Sequence, residues 1–129
     1  MNILLWILQV LLAGLYIIGG VTKIFMFEKF AQQVASTNAL PEALWAAIGV
    51  FEVLCGLGLT LPAATKRLPS LTPIAASCLA VEGLVFTVFH AAYGEHSAMA
   101  FGFVSAALAA FVAYGRFALD PLQVKRSAR

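Results

Sequence analysis

Four long apolar runs are the feature that most restricts how this chain can fold. They extend from about Ile3 to Phe25, Pro41 to Leu61, Pro73 to Tyr93 and Ser97 to Phe117. A helix needs about 20 apolar residues to cross a bilayer core of about 30 Å, so each run is long enough to span it. Only 11% of the residues are charged and 62% are hydrophobic, whereas soluble domains carry about 25% charge. The sequence therefore predicts an all-α integral membrane protein.

The connections between these runs predict the topology. The segment FEKFAQQVASTNALP mixes charged and apolar residues, which predicts an interfacial helix over about residues 27–37. Leu61 to Pro73 contains three prolines, and we predict a non-helical connection there because proline disrupts a helix interior. Short links favour antiparallel neighbours. We predict a single membrane domain, 1–129, folded as an up-down-up-down four-helix bundle with a basic tail, 118–129.

The basic residues predict the orientation of the bundle. Six of them fall on the side that holds both termini and the second link, and two fall on the opposite side. The six are Lys66, Arg67, Arg116, Lys125, Arg126 and Arg129, and the two are Lys23 and Lys29. Because cytoplasmic flanks carry the excess of lysine and arginine, we expect both termini to be cytoplasmic in the cell (inner) membrane. A basic tail is typical of such a flank, so the net charge of +2 does not indicate nucleic-acid binding.

Two acids interrupt the apolar runs. Glu52 lies within IGVFEVLCG, and Glu82 lies near the middle of the third run. If the second and third runs form a hairpin whose turn is centred between Lys66 and Arg67, Glu52 lies level with Val81. The two carboxyl groups are then predicted to share one layer of the bundle.

The predicted acid pair has a chemical consequence. A charged residue at this depth costs roughly 2.5 to 3.5 kcal/mol, so we expect at least one of the two acids to be protonated. A neutral acid beside a carboxylate can donate or exchange a proton, which makes Glu52 and Glu82 candidate catalytic residues. Lys23 could reach the headgroups or turn down toward Glu52. His90 lies about 12 Å beyond Glu82 along the helix axis, so contact between them would need water or a ligand.

Small and aromatic residues extend the predicted site. Gly49 and Gly56 flank Glu52 by one helical turn on either side, which predicts that this face packs against protein. We therefore predict that Lys23, His90, Gly49 and Phe86 bind a ligand. Further aromatic residues that could line a hydrophobic pocket near the same end are Phe89, Tyr93, Phe101 and Phe103.

Cysteine and histidine positions give weaker indications. The hairpin alignment places Cys55 opposite Cys78, but free cysteine is often a small buried apolar residue, and their pairing stays open. His90 and His96, with Glu82 or Glu95, suit no single helical face, so we predict no metal site.

Three segments together resemble the DoxX-like family of small four-helix membrane proteins. They are LLAGLYIIGGVTKIF, IGVFEVLCGLGLTLP and FTVFHAAYGEHS, and the likeness extends over nearly the whole chain up to about Phe117. The resemblance implies that Lys23, Glu52 and His90 match the family's polar pattern, whereas Glu82 is an addition. It also implies a link to quinol oxidase or other redox complexes, and distant relatives act in membrane-protein assembly.

Three functions are compatible with these features. The first is an oxidoreductase-associated subunit or small membrane enzyme that binds a lipophilic, quinone-like cofactor or substrate and moves protons through the acids. The second is a non-catalytic assembly or chaperone-like module that recognises a membrane-protein partner. The third is a small oligomeric transporter. Expected partners are the lipid bilayer and a lipophilic molecule or membrane protein. A homo-oligomer could form through the small residues of helix four, Gly102, Ala106, Ala110 and Ala113, unless these pack inside the bundle.

Overall fold

The computed structural model describes residues 1–119, except the side chains of Gln33 and Ala35, and this part of the chain is helical without strands. Four helices are long and apolar enough to span a membrane: α1 (Asn2–Phe25), α3 (Glu42–Thr65), α4 (Leu71–Ala92) and α5 (His96–Tyr114), the last extended by a π-helical turn, Gly115–Leu119. Between α1 and α3 lie α2 (Phe27–Gln33) and a 3₁₀ helix (Ala35–Ala39). The predicted all-α membrane bundle is confirmed. Of the predicted tail, residues 120–129 lie outside the described residues.

The bundle is made of two helix pairs. α1 packs against α3, α4 packs against α5, and the pairs meet mainly through a smaller contact between α3 and α4. Leu12, Leu59, Leu79 and Val112 form the centre of the core and are at most 2% exposed. The outward faces are also apolar, with Ile18 69% exposed for example. Helices that are apolar on all sides are suited to contact lipid on the faces that the core does not use.

Pro62 lies inside α3, contrary to the predicted proline-rich connection, and α3 continues to Thr65. A proline leaves the carbonyl four residues earlier without its helical donor. That carbonyl belongs to Gly58, and it accepts a hydrogen bond of 2.9 Å from the Thr72 hydroxyl of α4. Pro73 is the third residue of α4, where no intrahelical N–H bond is lost. The helix therefore continues through both prolines. At Pro62 the freed carbonyl gains another donor, and at Pro73 no helical hydrogen bond is lost.

Arg116 is buried, at 3% exposure, although the sequence placed it among the flanking charges. Its Nε donates to Gln9 Oε1 at 2.7 Å, and its Nη1 donates to Asn2 Oδ1 at 3.0 Å. Gln9 is fully buried and its Nε2 donates to the Leu59 carbonyl at 2.7 Å. This arginine cluster (Asn2, Gln9 and Arg116) joins α1, α3 and the end of the fourth spanning segment. Arg116 therefore links helices inside the bundle and is not an exposed charge at the membrane boundary.

The small residues of α5 mostly face the inside of the bundle. Gly102, Ala106 and Ala113 are buried, and Ala110 is exposed. A Cβ atom on Gly83 of α4 would lie only 2.7 Å from the Ala106 Cβ. The small face of α5 is thus used for close packing against α4.

Candidate functional site

Two glycines allow α1 and α3 to come into close contact beside the candidate site. A Cβ on Gly20 would lie 2.5 Å from the Gly49 carbonyl oxygen, and a Cβ on Gly49 would lie 2.6 Å from the Gly20 carbonyl oxygen. Neither position can hold a side chain without moving the helices apart. Lys23 and Glu52 follow one turn later on the two helices, which run in opposite directions, so these residues lie on either side of the glycine contact. The contact brings the helices close enough for the two charged side chains to meet across it.

Lys23 and Glu52 form an ion pair inside the bundle. The distance from Lys23 Nζ to Glu52 Oε1 is 2.6 Å, and the two side chains are only 13% and 5% exposed. Lys23 therefore turns inward, where its Nζ also lies 5.2 Å from the centre of the Phe30 ring. Taking both charges out of water costs several kcal/mol per ion in typical cases, of which mutual attraction recovers a part. Ionisable residues at such positions commonly mark functional sites.

Glu82 of α4 joins this ion pair from the opposite side. Its carboxyl group lies within hydrogen-bonding range of the Glu52 carboxyl group. Apart from a proton shared with Glu52, its buried Oε2 atom has no hydrogen-bond donor among the described residues. Two carboxyl groups beside one ammonium are electrically neutral when the acids together retain one proton. We call Lys23, Glu52 and Glu82 the acid cluster.

A cavity of about 400 Å³ opens beside the acid cluster, at the end of the bundle covered by α2. This volume is within the range of small-molecule sites. Its lining consists of Tyr16, Lys23, Phe30, Val34, Trp45, Glu52, Glu82, Gly83, Phe86, His90, Ser97, Ala98, Phe101, Gly102 and Ser105. All four spanning helices and α2 contribute to it, so the site depends on the whole bundle.

Flat aromatic rings form one wall of this cavity. Trp45 stacks on Phe86 with ring centres 5.5 Å apart, and Phe86 stacks on His90 at 5.9 Å. Phe30 of α2 meets Trp45 edge to face at 5.4 Å. The Trp45 indole N–H donates to the Thr37 carbonyl at 2.8 Å, which holds the 3₁₀ helix in place. Such a wall suits a planar ring, because aromatic faces stack favourably on one another.

His90 belongs to a separate polar cluster at the rim. Its Nδ1 lies 2.9 Å from Glu95 Oε1 and 3.4 Å from Ser36 Oγ. The Ser36 backbone N–H donates to Glu95 Oε2 at 3.1 Å. Hydrogen bonding by the Ser36 side chain, followed by that with His90 and with the Ser36 backbone N–H, lowers the pKa of Glu95 below its ordinary value. Ser36 and Glu95 both contact the Nδ1 atom of His90. In a catalytic triad the serine and the acid contact opposite nitrogens of the histidine ring, so these three residues are not such a triad. The other nitrogen, Nε2, has neither of these partners.

Tyr16 and Ser105 complete the polar lining, and the sequence reasoning missed both. Their exposures are 7% and 4%, and both residues line the cavity. Tyr16 precedes Lys23 by seven residues, and Trp45 precedes Glu52 by the same spacing. Two turns of helix return to the same face, so this spacing was the signal that could have found Tyr16 and Trp45.

The predicted site residues divide into two groups. Lys23, Glu52, Glu82, His90 and Phe86 all line the one cavity. Gly49 lies behind it, in the contact with Gly20, and its role there is helix packing. Of the other predicted aromatic residues, Phe101 lines the cavity.

The two cysteines are not among the residues that line the cavity. Cys55 and Cys78 are both free thiols. Among residues 1–119, no group of three or more histidine, cysteine, aspartate or glutamate side chains is arranged to hold a metal ion.

The comparisons with known proteins concern the family. No curated protein and no solved structure matches the chain. The model of the DoxX-like family, DoxX_2, matches residues 7–112, which include most of each of the four described spanning helices and all residues of the acid cluster. With four spanning helices and a match over most of its length, the chain is an integral membrane protein that belongs to the DoxX-like family.

Proposed function

We propose that the protein binds a lipophilic, quinone-like molecule in the cavity and exchanges a proton with it through Glu52 and Glu82. It would act as an oxidoreductase-associated subunit or as a small membrane enzyme. The observation that carries this proposal is the buried Glu82 Oε2 atom, which belongs to a residue lining the cavity and, apart from a proton shared with Glu52, has no hydrogen-bond donor in the described part of the chain. A buried polar atom without a partner costs about 1–3 kcal/mol, and a bound ligand would recover that cost.

The shape of the cavity supports a small molecule over a partner helix. Phe30 and Val34 of the segment between α1 and α3 contribute to the cavity wall, and Trp45 and Glu95 both bond to this segment. A transmembrane partner would need an open face, whereas a ring could be enclosed here. This arrangement favours the small-molecule function over the assembly module.

The proton step follows from the charges of the cluster. The shared carboxyl proton would pass to an oxygen atom of the bound ring, when an associated oxidoreductase has supplied electrons to that ring. One O–H bond breaks at the carboxylic acid and one forms on the ligand. The carboxylate left behind is stabilised by the Lys23 ammonium, which already contacts Glu52 Oε1. Such stabilisation of developing charge by a fixed group is a common source of rate enhancement.

Orientation and location also belong to the proposal. With Lys23 and Arg116 inside the bundle, the predicted balance of six against two basic residues becomes five against one. Lys29 is then alone on the α2 side. The excess near the α3–α4 turn and in the tail favours a cytoplasmic position for that side. We infer that the bundle lies in the cell (inner) membrane with the cavity toward the outside.

Quenching of Trp45 fluorescence tests the proposal. The chain has two tryptophans, and Trp6→Phe leaves Trp45, which lines the cavity, as the single reporter. In this background we expect saturable quenching by decylubiquinone in nanodiscs. Glu52→Gln and Glu82→Gln should each weaken binding about tenfold, since a lost charge-assisted hydrogen bond is worth about 1.5–3 kcal/mol.

Glu42→Gln is the matched control, because Glu42 starts the same helix as Glu52 and is exposed. It should bind like the parent. If all three variants bind equally well, the acids do not contact the ligand and the proposal is wrong.

A further inference from the structure

A second concave surface lies on the outside of α3 and α4. This groove has a volume of about 450 Å³ and is lined by apolar residues, among them Phe51, Val81 and Val85. These three are 40%, 61% and 59% exposed. Because they lie on the outward faces of spanning helices, the groove opens toward the hydrocarbon of the bilayer.

Glu82 and Phe86 connect the groove with the central cavity. Both residues line both spaces. Among residues 1–119, Glu82 is the one acidic or basic residue that lines the groove, and it lies where the groove meets the acid cluster. The groove therefore runs from an apolar surface to a buried carboxyl group.

The position of the groove matches the weaker contact in the bundle. α3 and α4 share a smaller interface than either α1 with α3 or α4 with α5. Separating these two helices slightly would cost less packing than separating either tight pair. A molecule dissolved in the bilayer could reach the cavity here without crossing the α2 segment.

We propose that the groove binds the apolar chain of a lipid-soluble ligand whose polar ring occupies the cavity, and that this ligand enters from the bilayer between α3 and α4. The inference rests on the proposed function, because it assigns a chain to the ligand assumed there. Its occupant is a hydrocarbon chain attached to a hydrogen-bonding head, since the apolar wall ends at the carboxyl group of Glu82. A tightly packed partner helix would leave that carboxyl group without a polar partner.

A pair of ring compounds tests the groove. Decylubiquinone and the same benzoquinone ring without its chain are titrated against the full chain in nanodiscs, with Trp45 as reporter in the Trp6→Phe background. The variant Val81→Phe/Val85→Phe fills the groove. It should weaken decylubiquinone binding about tenfold, as expected for overpacking of a fitted site, and change binding of the chainless ring by less than about twofold.

Val88→Phe is the matched control. Val88 is on the same helix, is 70% exposed and does not line the groove, so both compounds should bind to this variant as to the parent. Equal weakening of both compounds by the groove variant, or no weakening of either, would overturn the chain assignment. Loss of a co-purifying membrane protein with unchanged quinone binding would instead assign the groove to a partner helix.

Failure of the parent protein to bind either compound would overturn the proposed function itself. A different result would overturn only the inference about the chain. In that case the parent protein binds both compounds, and the groove variant binds decylubiquinone as tightly as the parent does.

Discussion

Two buried polar clusters lie toward opposite ends of the bundle, and they differ in how their hydrogen-bonding groups are used. In the arginine cluster, the Gln9 oxygen accepts from Arg116 and the Gln9 nitrogen donates to Leu59. In the acid cluster, Glu82 Oε2 is buried without such a partner in the described part of the chain, and a cavity adjoins it. Burial is similar at both ends. The arginine cluster joins helices, and the unmet bonding capacity of the acid cluster agrees with our proposal that it contacts a ligand.

Breaking the ion pair of the acid cluster should have the largest effect on stability. Lys23→Met leaves the Glu52 carboxylate buried without its ammonium, and we expect the free energy of unfolding to fall by about 3 kcal/mol. Lys23→Met/Glu52→Gln should regain at least about half of that loss, because no uncompensated charge remains. Denaturation in detergent micelles measures both.

Lys29→Met is the control for that series, since Lys29 is exposed on α2. It should change stability little. If the double variant is as unstable as the sum of its single variants, Lys23 and Glu52 are not coupled.

A substitution in the arginine cluster should lower stability and leave ligand binding intact, whereas Glu82→Gln in the acid cluster should do the reverse. Gln9→Leu removes the partner of Arg116 Nε and the donor to Leu59, and should lower the free energy of unfolding by about 2 kcal/mol. Its effect on quinone binding should be small. Glu82→Gln should change stability by less than about 1 kcal/mol while weakening binding. A binding defect in folded Gln9→Leu protein, measured by the same quenching titration, would remove the distinction between the clusters.

Packing behind the acid cluster should have a moderate effect. Gly49→Ala places a Cβ against the Gly20 carbonyl oxygen and should cost about 1–2 kcal/mol by overpacking. Gly14→Ala on α1 is the control, because a Cβ there would have no atom within 4 Å. Alanine is the better helix former by roughly 0.5–1 kcal/mol, so Gly14→Ala should be neutral or stabilising in the same denaturation measurement. Equal costs at both positions would contradict a special contact at Gly49.

The smallest effect should come from pH at the rim of the cavity. Hydrogen bonding by the Ser36 side chain, and then that with His90 and the Ser36 backbone N–H, holds the pKa of Glu95 below its ordinary value of 4.5. A lowered folded-state pKa means that this stabilisation is present above pH 4.5 and is lost as the pH falls through the folded-state value. Hydrogen exchange at the Ser36 amide should therefore lose protection in that acidic range. Glu95→Gln should show no such change, and an identical change in this variant would exclude Glu95 as its cause.

Much of the bundle could be predicted because long apolar runs dictate spanning helices directly. The hairpin alignment also predicted that Glu52 and Glu82 lie at one level, and their carboxyl groups do interact. This succeeded because depth in a helix depends only on residue number and rise per residue. The functional roles of these residues stay predictions.

Rotation of each helix about its axis could not be predicted in the same way. Helices that are apolar all round give no periodic signal for the inward face. Ser105 and the burial of Arg116 were missed for this reason. The inward turn of Lys23 also stayed open, because its chain is long enough to reach either environment. Contacts with other helices determine these orientations, and such contacts cannot be read from a single sequence.

Pro62 shows how a residue outside the cavity can set the alignment of the acids. By freeing the Gly58 carbonyl it creates an acceptor on the side of α3 that only a neighbouring segment can use, and Thr72 in the first turn of α4 uses it. The bond fixes how far α4 can slide along α3. Glu52 lies six residues before the acceptor and Glu82 lies ten residues after the donor on the neighbouring helix, so this bond helps to set the position of one acid relative to the other. A residue known for breaking helices thus contributes to the alignment of two carboxyl groups.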